Sequence, residues 1–113
     1  MHEMSLAESV LRIIEDAARE QHFKAVKRVT LEIGRLSCVE PEALRFALAS
    51  VMQGTLAATA ELEMIAIPGQ GRCEACAAEF PIESRYDACP ECGGFRIRVT
   101  GGDAMRVREL EVS

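Results

Sequence analysis

Cys73-Glu74-Ala75-Cys76 is followed, twelve residues on, by Cys89-Pro90-Glu91-Cys92-Gly93-Gly94. Two C-x2-C pairs offer four thiolates on two tight turns. A hairpin between them brings all four sulfurs round one tetrahedral ion, for which zinc is the default. Gly93-Gly94 gives the backbone freedom just after the second pair, and Pro90 stiffens the same turn. Two other readings compete, a pair of disulfides and a pair of redox dithiols. A disulfide scaffold suits a secreted chain, yet Met1 to Gln21 has no basic segment leading into an apolar one, and charges recur through it; the cytoplasm is the expected compartment. A thioredoxin-like site needs one C-x-x-C in a βαβ setting, whereas both pairs here sit in a Gly- and Pro-punctuated stretch. The expectation is therefore structural Zn(II) on Cys73, Cys76, Cys89 and Cys92. The fifth cysteine, Cys38, has no nearby partner and reads as a small apolar filler.

Outward from the cysteines, Pro68-Gly69 marks a hinge into the metal lobe and Gly101-Gly102 the matching exit. Upstream, Ser5-Leu6-Ala7-Glu8 reads as a capping box that starts a helix near Ser5. Leu6, Val10, Ile13, Ile14, Ala17 and Ala18 recur at helical steps, and the helix ends near Gln21. Val29, Leu31 and Ile33 alternate with Arg28, Thr30 and Glu32, the period of a half-buried strand that stops at Gly34. Pro41 suits a first helical position, and Leu44, Ala47, Leu48 and Val51 make a second apolar stripe closing before Gly54. Leu62 and Met64 lead a second strand into Ile65 to Ile67. Met105, Val107, Leu110 and Val112 form a last strand, with the apolar parity shifting between Arg108 and Glu109. The predicted fold is α/β, two amphipathic helices on a small three-stranded mixed sheet with an inserted four-cysteine zinc-ribbon lobe. The domains are residues 1–68 plus 103–113, and residues 69–102.

The composition limits what such a chain can do. A length of 113 residues and 49% hydrophobic content suit one ordinary core plus a metal-clipped lobe. No apolar run approaches the roughly 20 residues needed to span a bilayer, so no membrane insertion is expected. A formal net charge of -5 repels a phosphate backbone, and four Phe, one Tyr and no Trp give little material for stacking bases, which argues against a nucleic-acid partner. No Ser/His/Asp grouping and no phosphate-cradling Gly-rich loop is present, so an enzyme is not expected.

The two histidines differ in setting. His22 follows the first helix as a solvated residue near its C-terminus. His2 adjoins the α-amino group, so its imidazole, its own amide nitrogen and the Met1 amine can chelate one ion through adjacent small rings. Such a nitrogen-rich planar set favours Ni(II) or Cu(II) over zinc. Glu3 can add a carboxylate or orient a ligand. The competing reading of His2 is a plain exposed residue, with Met1 to Met4 lying outside the helix that Ser5 caps.

Met1-His2-Glu3-Met4-Ser5-Leu6 opening an amphipathic helix, Val29-Thr30-Leu31-Glu32-Ile33-Gly34, the C-x2-C-x12-C-x2-C spacing and the closing Arg108-Glu109-Leu110-Glu111-Val112 resemble the HypA/HybF family of hydrogenase nickel incorporation proteins. The likeness runs through the whole chain in order. It implies nickel bound by His2 with Glu3 and local backbone contributing, zinc on the four cysteines, and Ni(II) carried as cargo. It also implies delivery to the large subunit of a [NiFe] hydrogenase, with a HypB-type GTPase as partner, since this chain has no nucleotide-binding loop of its own. A homodimer and a role in urease maturation are both left open. Two readings from other classes stand beside it: a zinc ribbon that binds nucleic acid, and a zinc-stabilised protein-interaction module with no nickel role. Arg72, Arg85, Arg96 and Arg98 are the basic residues near the ribbon that the first of these would need.

Overall fold

The computed structural model describes residues 2–113 and holds two helices and six strands among them. Helix α1 spans Glu3–Gln21 and buries Ala7, Val10 and Ile14, a stripe at three- and four-residue steps. Ile13, assigned to that stripe from the sequence, is 49% exposed. The helix also starts earlier than the capping box implies. Ser5 lies inside it, its carbonyl accepting the Ser9 hydroxyl at 3.1 Å. His2 occupies the N-cap position, and its carbonyl accepts the Leu6 amide at 2.9 Å. Glu3 explains the displacement. Its carboxylate accepts the Glu40 amide at 3.2 Å, a tertiary bond that fixes the first turn two residues before Ser5. An acidic residue there also suits the positive end of the helix dipole. Glu3 and Met4 are thus helical, not outside the helix. His22 closes α1 in a left-handed conformation, φ 62°, with its amide donating to the Ala18 carbonyl.

Strand β1 spans Val26–Gly34, helix α2 Pro41–Val51 and strand β2 Glu61–Ile67. Pro41 takes the first turn of α2, where its missing N–H costs nothing, and the Glu40 side chain caps the helix by accepting the Glu42 amide at 2.9 Å. Leu44, Ala47 and Leu48 form its buried face. Strands β3 Gly69–Cys73, β4 Glu79–Ile82, β5 Ile97–Gly101 and β6 Met105–Val112 complete the chain. One sheet has the order β2-β1-β6 and the other β4-β3-β5. The first sheet is mixed. Arg28 meets Glu61 and Thr30 meets Glu63, a step in the same direction on both strands that marks β1 and β2 as parallel. Ala25 and Ser113 exchange both amide bonds, the signature of an antiparallel pair at the β6 end. The Thr30 hydroxyl, on a residue only 3% exposed, donates to Glu63 at 3.2 Å, so this buried polar side chain is satisfied.

The chain divides into two compact units, Met1–Leu31 with Val39–Met64 and Val107–Ser113, and Glu32–Cys38 with Ile65–Arg106. The second unit has its own small core of Leu36, Cys73, Phe80, Ile82 and Cys89, with Ile97 and Val99 packed against it. Its β3 strand pairs antiparallel with both neighbours, Gly71 opposite Phe80 on one side and Val99 on the other. Pro81 falls on β4, an edge strand where its lack of an N–H is tolerated.

Pro68-Gly69, the hinge expected from sequence, lies at a close crossing of backbone with Gly102. Gly69 is buried, and a Cβ built on Gly102 would lie 2.3 Å from the Pro68 carbonyl oxygen and 2.7 Å from the Gly69 Cα. Cys38 departs from its expected role as well, being exposed and left-handed at φ 64°.

Candidate metal centres

The four cysteines converge through two matching turns. In the first, the Ala77 amide donates to the Cys73 carbonyl at 2.8 Å and the Cys73 amide to the Ala78 carbonyl at 2.9 Å. In the second, Gly93 donates to the Cys89 carbonyl at 2.8 Å and Cys89 to the Gly94 carbonyl at 2.8 Å. Ala77 and Gly93 hold the same left-handed station, with φ of 67° and 76°. Each turn thereby aims two sulfurs inward, and the end of β3 together with the Cys89 turn sets the pairs face to face.

Cys73 Sγ lies 3.6 Å from Cys92 Sγ, Cys76 Sγ lies 3.6 Å from Cys89 Sγ, and all four sulfurs fall within 4.8 Å of one another. A tetrahedron of sulfurs at about 2.3 Å from zinc has edges of about 3.8 Å, so the cage is the size such an ion requires. The separations are far beyond an S–S bond of about 2.0 Å, and all five cysteines are free thiols. Cys73 and Cys89 are buried, Cys76 and Cys92 exposed.

Amides turned toward the sulfurs prepare the cage for a cation. Cys89 Sγ accepts from the Glu91 and Cys92 amides at 3.4 and 3.5 Å. The Cys76 amide, aided by that of Ala75, brings the Cys73 thiol down to about 7 from its ordinary value of 9.0. For Cys76 the Ala78 amide pulls the same way, but hydrogen bonding to Cys89 and burial outweigh it and push the thiol up to about 12. Cys92 also ends raised, the Gly94 amide being outweighed by hydrogen bonding to Cys73, by burial and by Cys89. One sulfur ionises readily while its crowded neighbours resist a second negative charge, which a divalent ion would relieve. All four coordination positions are filled by protein, so the cage has no open place for a reacting ligand.

The N-terminal residues assemble differently. His2 is exposed at the head of α1, and helix geometry leaves the amides of that first turn without intrahelical acceptors. Glu3 is committed by its bond to Glu40, whose amide holds the carboxyl below the usual carboxylate range. The third residue assigned to this site, Met1, lies outside the described residues. Sequence reasoning missed Glu40, although Glu40-Pro41 is a recognisable helix start. His22 is exposed at the far end of α1 and joins neither group.

Elsewhere, an open depression of about 420 Å³ is lined by Val29, Arg45, Leu48, Met52, Ala57 and Leu62 among others, and has no nucleophile with an adjacent base. Of the four basic residues near the ribbon, Arg72 pairs with Glu79 and Arg85 donates to the Leu36 carbonyl, while Arg96 and Arg98 are exposed, Arg98 lying opposite Arg72 across the β3–β5 pair. No helix among the described residues is long and apolar enough to cross a membrane.

A small helix-and-sheet unit together with a sheet that ends in four clustered cysteines defines a protein built to bind a metal ion. Comparison with known proteins gives the particular kind. Residues 1–112 match the family model for hydrogenase/urease nickel incorporation, metallochaperone, hypA, and the chain belongs to that family. It is 53% identical over 112 residues to hydrogenase maturation factor HypA of Rhodopseudomonas palustris strain BisA53, and 54% identical over 112 residues to that of Albidiferax ferrireducens, with 99% of each chain covered in both cases. The fold is similar to the solution structure of the Ni metallochaperone HypA from Helicobacter pylori, at TM-score 0.75 and 24% identity, covering 99% of this chain and 97% of that one. A second solution structure, of HypA protein, gives TM-score 0.76 at 24% identity, covering 100% of this chain and 97% of that one. The family is described as one of nickel-incorporating metallochaperones, which fits a chain with four cysteines clustered for a metal ion.

Proposed function

We propose that this chain carries Ni(II) on its N-terminal segment and hands it to the large subunit of a [NiFe] hydrogenase during maturation in the cytoplasm, while Zn(II) on Cys73, Cys76, Cys89 and Cys92 holds the second unit in shape. The cargo ligands are the imidazole and amide nitrogen of His2 and the amine of Met1, with Glu3 close by. Functionally the chain divides into a nickel-binding part, residues 1–68 plus 103–113, and a zinc-binding part, residues 69–102. The observation that carries the reading is His2 at the N-cap of α1, exposed, in a chain of this family.

Chelation by adjacent backbone and imidazole nitrogens suits the planar preference of Ni(II), whereas the sulfur cage suits a tetrahedral ion. Glu3 acts as a positioning residue. Its bond to the Glu40 amide pins the first turn of α1 to the start of α2, so the backbone beside His2 is already placed when the ion arrives. Release follows from exposure, because a partner's ligands can replace terminal ones stepwise and protons compete for the nitrogens. A HypB-type GTPase would supply nucleotide hydrolysis.

His2→Ala should abolish specific nickel binding by calorimetry on untagged protein while leaving one zinc per chain and an unchanged circular dichroism spectrum. Undiminished nickel affinity in that variant would refute the site.

A further inference from the structure

The two cysteine turns each hold one sulfur toward solvent and one toward the core. Cys76 and Cys92 are exposed, while Cys73 and Cys89 are 0% and 2% exposed. The 3.6 Å contacts join Cys76 to Cys89 and Cys92 to Cys73. Each contact therefore links one turn to the other, and each sets an exposed cysteine beside a buried one. Cys76 also lines an open depression of about 520 Å³, together with Ala78, Glu79, Phe80, Pro90 and Glu91.

We propose that Cys76 and Cys92 are sites of oxidation by a small uncharged hydroperoxide, with Cys89 and Cys73 as their resolving partners, and that the two disulfides formed release the metal ion while keeping the second unit folded. The inference rests on the reading of these four cysteines as the ligands of Zn(II). Oxidation of a thiolate follows its exposure, which selects the two outer sulfurs. Glu79 and Glu91 at the depression repel an anionic oxidant such as glutathione disulfide and leave hydrogen peroxide unaffected.

The Cys76 thiolate attacks one oxygen of the peroxide. An S–O bond forms, the O–O bond breaks, and the departing hydroxide takes a proton and leaves as water. The Cys89 thiolate then attacks the Cys76 sulfur, so that an S–S bond forms, the S–O bond breaks and a second hydroxide leaves as water. Cys92 and Cys73 repeat the sequence. Four thiolates thus give four electrons to two molecules of hydrogen peroxide, with four protons consumed and four waters formed, and the disulfide sulfurs no longer carry the charge that holds the ion. Each pair has only about 1.6 Å to close, from 3.6 Å to the length of an S–S bond. The two bonds are nested, spanning 19 and 13 positions, and tie the end of β3 to the Cys89 turn where the ion would. Disulfides within each C-x2-C pair would close only their own turns and leave the two untied.

The test uses the full zinc-loaded chain carrying C38S, which removes the exposed fifth thiol. Elemental analysis comes first. A chain without zinc overturns the ligand reading and this inference with it, whereas a zinc-loaded chain that oxidises otherwise overturns the inference alone. Two equivalents of hydrogen peroxide should release the zinc to a chromogenic chelator and remove four hydrogens from the mass of the metal-free chain. Trypsin cuts after Arg72, Arg85 and Arg96, so Cys73 with Cys76 and Cys89 with Cys92 fall on separate peptides that only disulfides between the turns can join. A further cut after Glu74 and Glu91 should show Cys73 joined to Cys92 and Cys76 to Cys89. Dimedone added with the peroxide should label Cys76 and Cys92. Hydrogen exchange of β3 amides in the oxidised chain should match the zinc-loaded one and rise roughly tenfold in reduced chain stripped by a chelator. Glutathione disulfide at the same concentration should release zinc roughly tenfold more slowly than the peroxide. Unjoined tryptic peptides, dimedone on Cys73 and Cys89, zinc retained under peroxide, β3 exchange as fast as in the stripped chain, or equal release by both oxidants would each overturn the proposal.

Discussion

Gly102→Ala places one methyl group where three stretches of backbone meet, and its cost can be worked out from the geometry. Gly102 has φ 75°, a conformation that costs an L side chain about 1–2 kcal/mol. Its Cβ would lie 2.3 Å from the Pro68 carbonyl oxygen and 2.7 Å from the Gly69 Cα. Backbone cannot rotate aside as a side chain can, so relief means moving strand β3, an overpacking cost of about 1–3 kcal/mol. The Gly102 carbonyl is pinned too, accepting the Leu36 amide at 2.8 Å, and a Cβ on Gly34 would sit 2.2 Å from it. The total is about 2–5 kcal/mol.

Gly93 supplies the control, with φ 76° and nothing within 4 Å of the added atom. Gly93→Ala should therefore cost only the conformational part, about 1–2 kcal/mol. Ala77→Gly, at the matching station of the first turn, should be close to neutral, since the strain relieved and the chain entropy added are both about 1 kcal/mol. Urea titration of metal-loaded proteins reads the order as midpoints at equal slope, and each kcal/mol should move Tm by roughly 4 °C. Gly102→Ala no worse than Gly93→Ala would mean that the crossing is loose, and the reasoning would fail.

Replacing Cys73 and Cys76, or Cys89 and Cys92, by Ser should remove the bound metal as read by elemental analysis and open the second unit to proteolysis; a full metal equivalent retained by either pair variant would exclude this ligand set. The cysteine contribution to the stability of the metal-free chain should also peak near pH 9. Cys73, lowered to about 7 by the Cys76 amide, contributes above its ordinary value of 9.0 and loses that contribution as pH falls through 7. Cys76, raised to about 12, keeps its contribution below 9.0 and loses it as pH rises toward 12. Denaturant midpoints from pH 6 to 11 check both flanks, and a curve without a fall on the acid side would contradict the Cys73 assignment.

The elements with strong local patterns were legible before any coordinates: Pro41 with the Leu44, Ala47, Leu48 stripe, the alternation of Val29, Leu31 and Ile33, and the four spaced cysteines. What escaped depended on partners distant in sequence. Ser5-Leu6-Ala7-Glu8 carries a genuine capping pattern, but Glu3 finds the Glu40 amide 37 positions away, and that contact moves the helix start. Strand β3, Gly69-Gln70-Gly71-Arg72-Cys73, has two glycines and little strand propensity. It forms because Ile97 lies over Gly71, whose Cβ would come within 2.6 Å of the Ile97 side chain, so the glycine is a packing requirement rather than a break. Leu36, in the connection between β1 and α2, gave no sign that it would fill the core around Cys73 and Cys89.

A carrier must hold its cargo specifically and still let go, and the two centres differ in the properties that govern this. In the cysteine cage, two of four ligands are buried and every sulfur is fixed by a turn whose amides point at it, so loss of the ion would uncover a core that contains Cys73 and Cys89 themselves. An ion held there would be coupled to folding and would exchange slowly. At the head of α1 the backbone is equally fixed, by the Leu6 amide on the His2 carbonyl and the Glu40 amide on Glu3, but the imidazole stands in solvent and no core residue depends on it. Backbone order lowers the entropy lost on chelation, which supports affinity, while an exposed side-chain ligand can swing away without any unfolding, which supports release. That contrast is the physical reason for proposing architecture for the sulfurs and transport for the N-terminal nitrogens.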